Sequence, residues 1–350
     1  MSVTDFERRR NDILEAIVEA YINTASPVGS ELISRTMRQA LSSATIRNIM
    51  AQLEEAGLLE QPHTSAGRVP TDRGYRLYVD ALMDTVHLTP EESQRLLELI
   101  QPHEPELERL FERVGEVLAE QSRQAAVVLE PTVKHSRVKQ IELLPLGLHK
   151  LLCVLVAQET MVASHVVEVE EPISREEALS LAHFLNTELT GLPMEELLSS
   201  LGERLSAIDK SLERLVKRSM AILQTVLATE PEERVVLEGM LYLVEQPEFR
   251  KDPDKTHQLL RQLQLRQALV DRMRAEMRTP RTCVRIGREM DIEGLEDCSY
   301  ILAPFGVRQT PLGGVGILGP KRMDYRRMRA MVEGMAELLT DLLTQWELNG

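Results

Sequence analysis

Hydrophobic positions in the first eighty residues follow a helical period, then a short strand period, then a helical one again. Ile13, Leu14, Ile17, Val18 and Tyr21 give a first helix one apolar stripe. Ser26-Pro27-Val28-Gly29-Ser30 is turn and cap chemistry leading into a short second helix, Glu31 to Met37. From Ser43 to Ala56, the residues Ile46, Ile49, Met50, Leu53 and Ala56 fall on one side of a 3.6-residue helix, so that side faces a core. Arg47 and Asn48 point the other way, with Ala44 and Ala51 beside them. Ser42 or Ser43 accepts from the free N–H groups at the helix start, and Gly57 is placed to end the helix in the left-handed conformation. Leu58 to Gln61 and Arg68 to Thr71 then pair as two short strands around His63-Thr64-Ser65-Ala66-Gly67, with Gly67 free to take positive φ. Thr71 caps a further helix whose buried stripe is Tyr75, Tyr78, Val79 and Leu82. Gly74 inside it costs about 1 kcal/mol of helix propensity.

Three helices, a glycine-tipped hairpin and another helix at this spacing form a winged helix-turn-helix, an arrangement that reads duplex DNA. The helix from Ser43 alone also fits an ordinary surface helix, since amphipathicity is common; the flanking elements favour the DNA reading. Recognition helices set their N-terminal residues against base edges, which suits Thr45, Arg47 and Asn48. Small Ala44 and Ala51 let the backbone approach a groove closely. The expected DNA-binding set is Ser42, Ser43, Thr45, Arg47 and Asn48 from the helix, His63, Ser65 and Arg68 from the wing, and Arg73 after it. Arg68 and Arg73 are assigned to phosphate or the minor groove.

Beyond Asp84 the pattern changes. Thr89-Pro90-Glu91-Glu92 opens a helix as a capping box with Pro at its first position, and Pro102 and Pro105 break it before a second helix to about Gln124. Strand-like runs follow at Ala126–Leu129, Val138–Leu144, Leu151–Ala157 and Val162–Val169. A second capping box, Ser174 with Glu177, starts a helix toward Gly191. Gly191-Leu192-Pro193 marks a boundary, after which about eighty residues read as helical. Strand signals return at Thr282–Ile286, Ser299–Ala303 and Val315–Leu318, before a closing helix from Asp324 to Trp346. The simplest account is a helical insertion within an α+β domain whose sheet is completed from both sides, with the Leu- and Met-rich insertion available for self-association.

Composition narrows the function. The 350 residues carry a formal charge of −14 and would repel a polyanion as a whole, so DNA binding needs a locally basic face. Leu32 to Leu53 supplies one with Arg35, Arg38 and Arg47 and no acid, and Arg68, Arg73 and Arg76 follow. That face is narrow, and pairing two copies would double it. Aromatics at 3% leave little for stacking on single strands or RNA, which favours duplex. The N-terminus has no apolar leader pattern and the longest apolar run, Leu151–Ala157, is too short for a span, so a cytoplasmic protein without a membrane partner is expected. Cys153, Cys283 and Cys298 form no CxxC and fit reduced core thiols; the scattered His residues give no metal-ligand spacing, and neither metal nor cofactor is expected. Gly314-Val315-Gly316-Ile317-Leu318-Gly319 matches a dinucleotide fingerprint but lies near the C-terminus, reads as a strand and is stopped by Pro320, so a hairpin edge and tight turn is expected instead. Gly319-Pro320-Lys321-Arg322-Met323-Asp324-Tyr325 is either a helix entry or an effector contact. No nucleophile–base motif is recognisable, and an enzyme is not expected.

Taken together, these segments resemble the bacterial HrcA family of heat-inducible transcription repressors over nearly the whole length. The resemblance rests on Pro27-Val28-Gly29-Ser30, on ATIRNIM, LEEAGLL, HTSAGRVPT and GYRLYVD between Ser43 and Asp80, on LEGMLYLVEQPEF from Leu237 to Phe249, and on GPKRMDY from Gly319 to Tyr325. Lys321 departs from the pattern, standing where a small hydroxyl residue belongs. The resemblance implies an α+β multidomain protein: a winged helix-turn-helix over 1–85, a GAF-like α+β domain with antiparallel sheet over 86–190 and 278–350, and an inserted, mostly helical dimerisation domain over 191–277. It implies a homodimer that occupies an inverted-repeat operator, CIRCE, ahead of chaperone operons, and is held active by the GroEL chaperonin. A regulator sensing a metabolite through the GAF-like domain is the alternative.

Overall fold

The computed structural model describes the chain apart from residues 1–2, 38–40, 63–66, 102–106, 132–136, 158–161, 170, 206–209, 230–234, 265–266, 278, 280, 308–309 and 350. It opens with α1 (Val3–Thr24), α2 (Ser30–Thr36) and α3 (Ser43–Glu55), followed by β1 (Leu59–Glu60), β2 (Val69–Pro70) and α4 (Asp72–Leu77), which continues as one π-helical turn, Tyr78–Leu82. The expected stripes meet in one core: Ile13, Leu14, Ile17 and Val18 of α1, Ile46 and Leu53 of α3, and Tyr75 and Tyr78 are all buried. The strands are shorter than expected, pairing antiparallel only at Leu59↔Pro70 and Glu60↔Val69. A third segment joins them, because Val28 and Arg68 exchange both backbone hydrogen bonds, at 2.8 and 2.9 Å. Val28 is therefore part of the sheet as well as of the turn.

Two glycines here have steric causes. Gly57 takes φ +70° and ends α3 as anticipated. A Cβ at Gly74 would lie 2.1 Å from the Leu58 carbonyl oxygen, so the helix tolerates a poor helix former because the strand backbone passes against it.

After the linker come α5 (Pro90–Ile100), α6 (Leu107–Ser122) and β3 (Ala125–Leu129). The Thr89 capping box is complete: its hydroxyl accepts from Glu92 N–H and the Glu92 carboxylate accepts from Thr89 N–H. Next are β4 (Val138–Gly147), β5 (Lys150–Ala157), β6 (Val162–Glu168), α7 (Arg175–Leu189), a 3₁₀ turn at Met194–Glu196, α8 (Leu197–Leu205) and α9 (Lys210–Thr229). Then follow β7 (Val235–Glu238), α10 (Met240–Val244), α11 (Pro247–Arg250), α12 (Pro253–Gln264), α13 (Gln267–Glu276), β8 (Cys283–Ile286), a 3₁₀ turn at Gly287–Met290, β9 (Cys298–Val307), β10 (Thr310–Pro320) and α14 (Tyr325–Asn349).

The strands divide into separate sheets. One has the order β7-β3-β10-β9-β8; another is β4-β5-β6, antiparallel throughout. The chain groups accordingly into two compact units, one of Met1–Val128, Val235–Pro304 and Gly314–Leu338, the other of Leu129–Arg234, Phe305–Gly313 and Leu339–Gly350. This differs from an insertion over 191–277 into one sheet. β3 and β8–β10 do join from both sides of the intervening chain, but among the described residues β4–β6 pair only with one another. The first helices after Gly191 stay with that second sheet, since Leu197, Ile222, Leu223 and Val226 share a core with Leu151, Cys153 and Leu155. The later helices, from Met240, belong to the first unit. β7 was hidden in a helical run because four residues carry too little alternation to announce a strand.

The glycine-rich segment is not a hairpin edge. β10 is the central strand of the five, and its glycines admit neighbouring chain: a Cβ at Gly316 would meet the Ile301 carbonyl oxygen at 2.4 Å, and one at Gly319 the Gln124 side chain at 2.5 Å.

Candidate nucleic-acid interface

The helix-turn-helix is fastened at its hinge by two hydroxyls, Ser30 Oγ on α2 and Ser43 Oγ on α3, 2.8 Å apart. Ser42, not Ser43, is the α3 cap: its Oγ accepts from Thr45 N–H at 3.1 Å and lies 2.9 Å from the Thr45 hydroxyl. Ser43 is thus occupied inside the motif, while Ser42, Thr45, Arg47 and Asn48 are exposed on the face opposite Ile46, Ile49 and Met50. Arg47 makes no ion pair among the described residues and is free to meet an anion or a base edge.

The wing brings Arg68 to the same place. Arg47 and Arg68 line one cleft of about 340 Å³ with Val28, Glu31 and Met50, at the junction of α2, α3 and the hairpin. Arg68 is not a spare cation, however, because its Nε donates to Glu54 Oε2 at 2.8 Å. Glu54, near the C-terminal end of α3, reaches across to the hairpin to make this pair. A Cβ at Gly67 would meet the Val28 carbonyl oxygen at 2.4 Å, so close approach at the Val28–Arg68 pairing calls for glycine there. His63 and Ser65, the expected wing-tip contacts, lie outside the described residues.

Beyond the wing, Thr71 caps α4 by accepting from Gly74 N–H at 3.2 Å, and donates to the Gly57 carbonyl at 2.7 Å. Arg73 is exposed on α4. Arg76, counted with the basic face in the sequence, is turned elsewhere: its guanidinium donates to both oxygens of Glu289, to the Val284 carbonyl at 2.7 Å and to Asp80 at 3.1 Å. These bonds raise its pKa further above the usual arginine value. Asp72-Arg76-Asp80 at i, i+4 and i+8 was the available signal for a salt-bridged face. Arg35 is exposed but paired with Glu31 at 2.8 Å, and Arg38 lies outside the described residues.

Other candidate chemistry does not converge. Burial pushes the Cys153 thiol up to about 12 and Cys283 to about 11, and raises Cys298 as well, so all three are protonated at neutral pH. No group of three His, Cys, Asp or Glu suited to a metal occurs among the described residues. Nor is any described helix long and apolar enough to cross a membrane.

Comparison with known proteins agrees with the winged helix and extends past it. Residues 5–81 match a family model described as the winged helix-turn-helix transcription repressor, HrcA DNA-binding, and residues 108–328 match the HrcA protein C terminal domain. The chain belongs to the HrcA family. The heat-inducible transcription repressor HrcA of Moorella thermoacetica is 38% identical, over 97% of this chain and 98% of that protein. The HrcA of Syntrophobacter fumaroxidans is 36% identical over 98% and 99%, and that of Chlorobium chlorochromatii 37% over 98% and 99%. A crystal structure titled only as a hypothetical protein shares the fold, with TM-score 0.57 at 24% identity, covering 96% of this chain and 97% of that one. As a family member the chain is a winged-helix protein with a mixed α+β C-terminal part containing antiparallel sheets. It is a regulator rather than a catalyst.

Proposed function

We propose that the chain is a dimeric repressor that occupies an inverted-repeat operator of the CIRCE type in duplex DNA and blocks transcription of chaperone operons. Membership of the HrcA family carries this reading, and the exposed row Thr45, Arg47 and Asn48 on a capped recognition helix supports it. In this reading Thr45, Arg47 and Asn48 meet base edges. Ser42 and Arg73 meet phosphate, with His63 and Ser65 on the wing beside them. Arg68 joins them only by exchanging Glu54 for a phosphate, which makes its contact the costlier one. Ser43 contributes through its bond to Ser30 and not through DNA.

The dimer needs a surface, and in this reading it is the outer face of β4–β6 in the second unit. Leu144, Leu152 and Val166 pair in register across β4, β5 and β6. Their shared face is opposite Leu143, Leu151 and Val167, which are buried against α7 and α9. Leu144, Leu146, Leu148 and Val166 remain 48%, 58%, 72% and 57% exposed. Exposed apolar side chains gathered around one sheet face are uncommon on a monomer's surface and mark an interface. A second copy of the same face is the occupant that an inverted repeat requires, since operator symmetry mirrors protein symmetry. The C-terminal α+β part is read as GAF-like, the protein as cytoplasmic, and the GroEL chaperonin as the partner that keeps the repressor active. Footprinting on the source organism's chaperone promoters, with and without GroEL, tests this. Protection of an inverted repeat that strengthens with GroEL is expected, and protection indifferent to sequence would refute it.

A further inference from the structure

Helix α4 sends its charged residues in two directions. Arg73 is exposed, whereas Asp72 and Arg76, one turn apart, are engaged by the segment after β8 and by the entry to α14. The Asp72 carboxylate accepts from the Arg288 backbone N–H at 3.1 Å and from Lys321 Nζ at 3.0 Å. A Cβ at Gly287, where φ is +54°, would lie 2.5 Å from that carboxylate, so the glycine is what lets Asp72 seat. Arg76 is bound by Glu289 and the Val284 carbonyl. Helix α1 is held from the same side: the Ile22 carbonyl accepts from Arg322 at 2.7 Å, and Glu19 pairs with Arg326 at 2.9 Å. Tyr75 packs against Tyr325, ring centroids 5.9 Å apart. Lys321, the residue that departs from the family pattern, also lies 3.5 Å from Asp297. None of these residues belongs to α3 or to the wing.

We propose that this ionic seam positions the DNA-reading face: Lys321, Arg322 and Arg76 touch no DNA and fix the direction in which the five-stranded-sheet unit presents α3 and the wing. The inference rests on the repressor reading above. One exposed ion pair contributes little, about 0–1 kcal/mol. Several half-buried, charge-assisted bonds acting on both α1 and α4 together remove the swing that the linker at 83–89 would otherwise allow. A winged helix that cannot swing raises the effective concentration of the second half-site once the first is bound.

The test uses the full chain, a Lys321→Ser/Arg76→Gln variant, Lys321→Ser alone in case the double variant folds poorly, and Lys321→Arg. Affinities are measured on an inverted-repeat duplex and on a single half-site, and ¹⁵N relaxation reports how the winged-helix amides tumble. The double variant should lose about tenfold on the inverted repeat, as expected when effective concentration falls. On the half-site it should change by less than about twofold, its winged helix should tumble faster, and Lys321→Ser should shift the same way by less. Lys321→Arg should keep the wild-type value. Equal changes on both duplexes, a gain on the inverted repeat, or a wild-type winged helix that already tumbles as a separate body would overturn the proposal. A wild type that does not prefer the inverted repeat overturns the repressor reading instead, and the relaxation result still decides whether the seam holds.

Discussion

Arg47 is where selectivity for an operator should depend on one side chain. It is exposed, makes no ion pair among the described residues, and stands on the outward face of a helix whose start is fixed by Ser42. Arg47→Ala should cost about 1–3 kcal/mol on the operator if the residue reads a base edge, and far less on random duplex. Competition titrations with both duplexes check this, and equal losses would reassign Arg47 to the backbone. Gly74 gives a prediction of opposite sign to helix propensity. Ala should stabilise an exposed helix by about 1 kcal/mol, yet here its Cβ would strike the Leu58 carbonyl oxygen, and Gly74→Ala should lower the melting temperature, at a cost of about 1–3 kcal/mol. The outward set Thr45, Arg47 and Asn48 was legible because a 3.6-residue period assigns faces locally. The Arg68–Glu54 and Arg76–Glu289 pairs were not. Their partners lie 14 and 213 residues away, and no local pattern says which carboxylate a guanidinium will find.

At the scale of elements, the caps and periods announced nearly every helix near the interface, and the Thr89 box formed as expected. The Ser174 cap formed only in half: its hydroxyl accepts from Glu177 N–H, but the Glu177 carboxylate turns to Arg218. Sheet membership was less legible, because a buried strand advertises its hydrophobicity and not its neighbours; β10 read as an edge and is the centre. Packing between elements also sets a pH dependence. Burial alone would raise Asp297, but Lys255 and Lys321 outweigh it and hold the carboxyl below its usual range. Its contribution to stability is therefore full above the unfolded value, about 3.9, and is lost as pH falls through the lowered folded value. Lys255→Met should reduce the urea midpoint at neutral pH, and the gap from wild type should close on acidification below about pH 4. A gap that stays constant to the acid limit would show that the pair does not stabilise the fold.

For the whole molecule, the proposed dimer follows from charge: a narrow basic face on a chain of charge −14 would bind weakly alone, and pairing would supply the affinity. Leu146→Glu, at an exposed position in β4, should convert the proposed dimer to monomer by sedimentation while leaving the fold intact, since that side chain is exposed in one copy. A variant that stays dimeric would move the interface elsewhere. Whether two winged helices read one symmetric duplex site is decided by titrating the full chain against an inverted-repeat operator and against the same duplex with one half-site scrambled. One dimer per operator is expected, with a loss of at least about a hundredfold on the scrambled duplex, the scale set by losing the second linked contact. Equal affinity for the two duplexes, or one monomer bound per site, would contradict it.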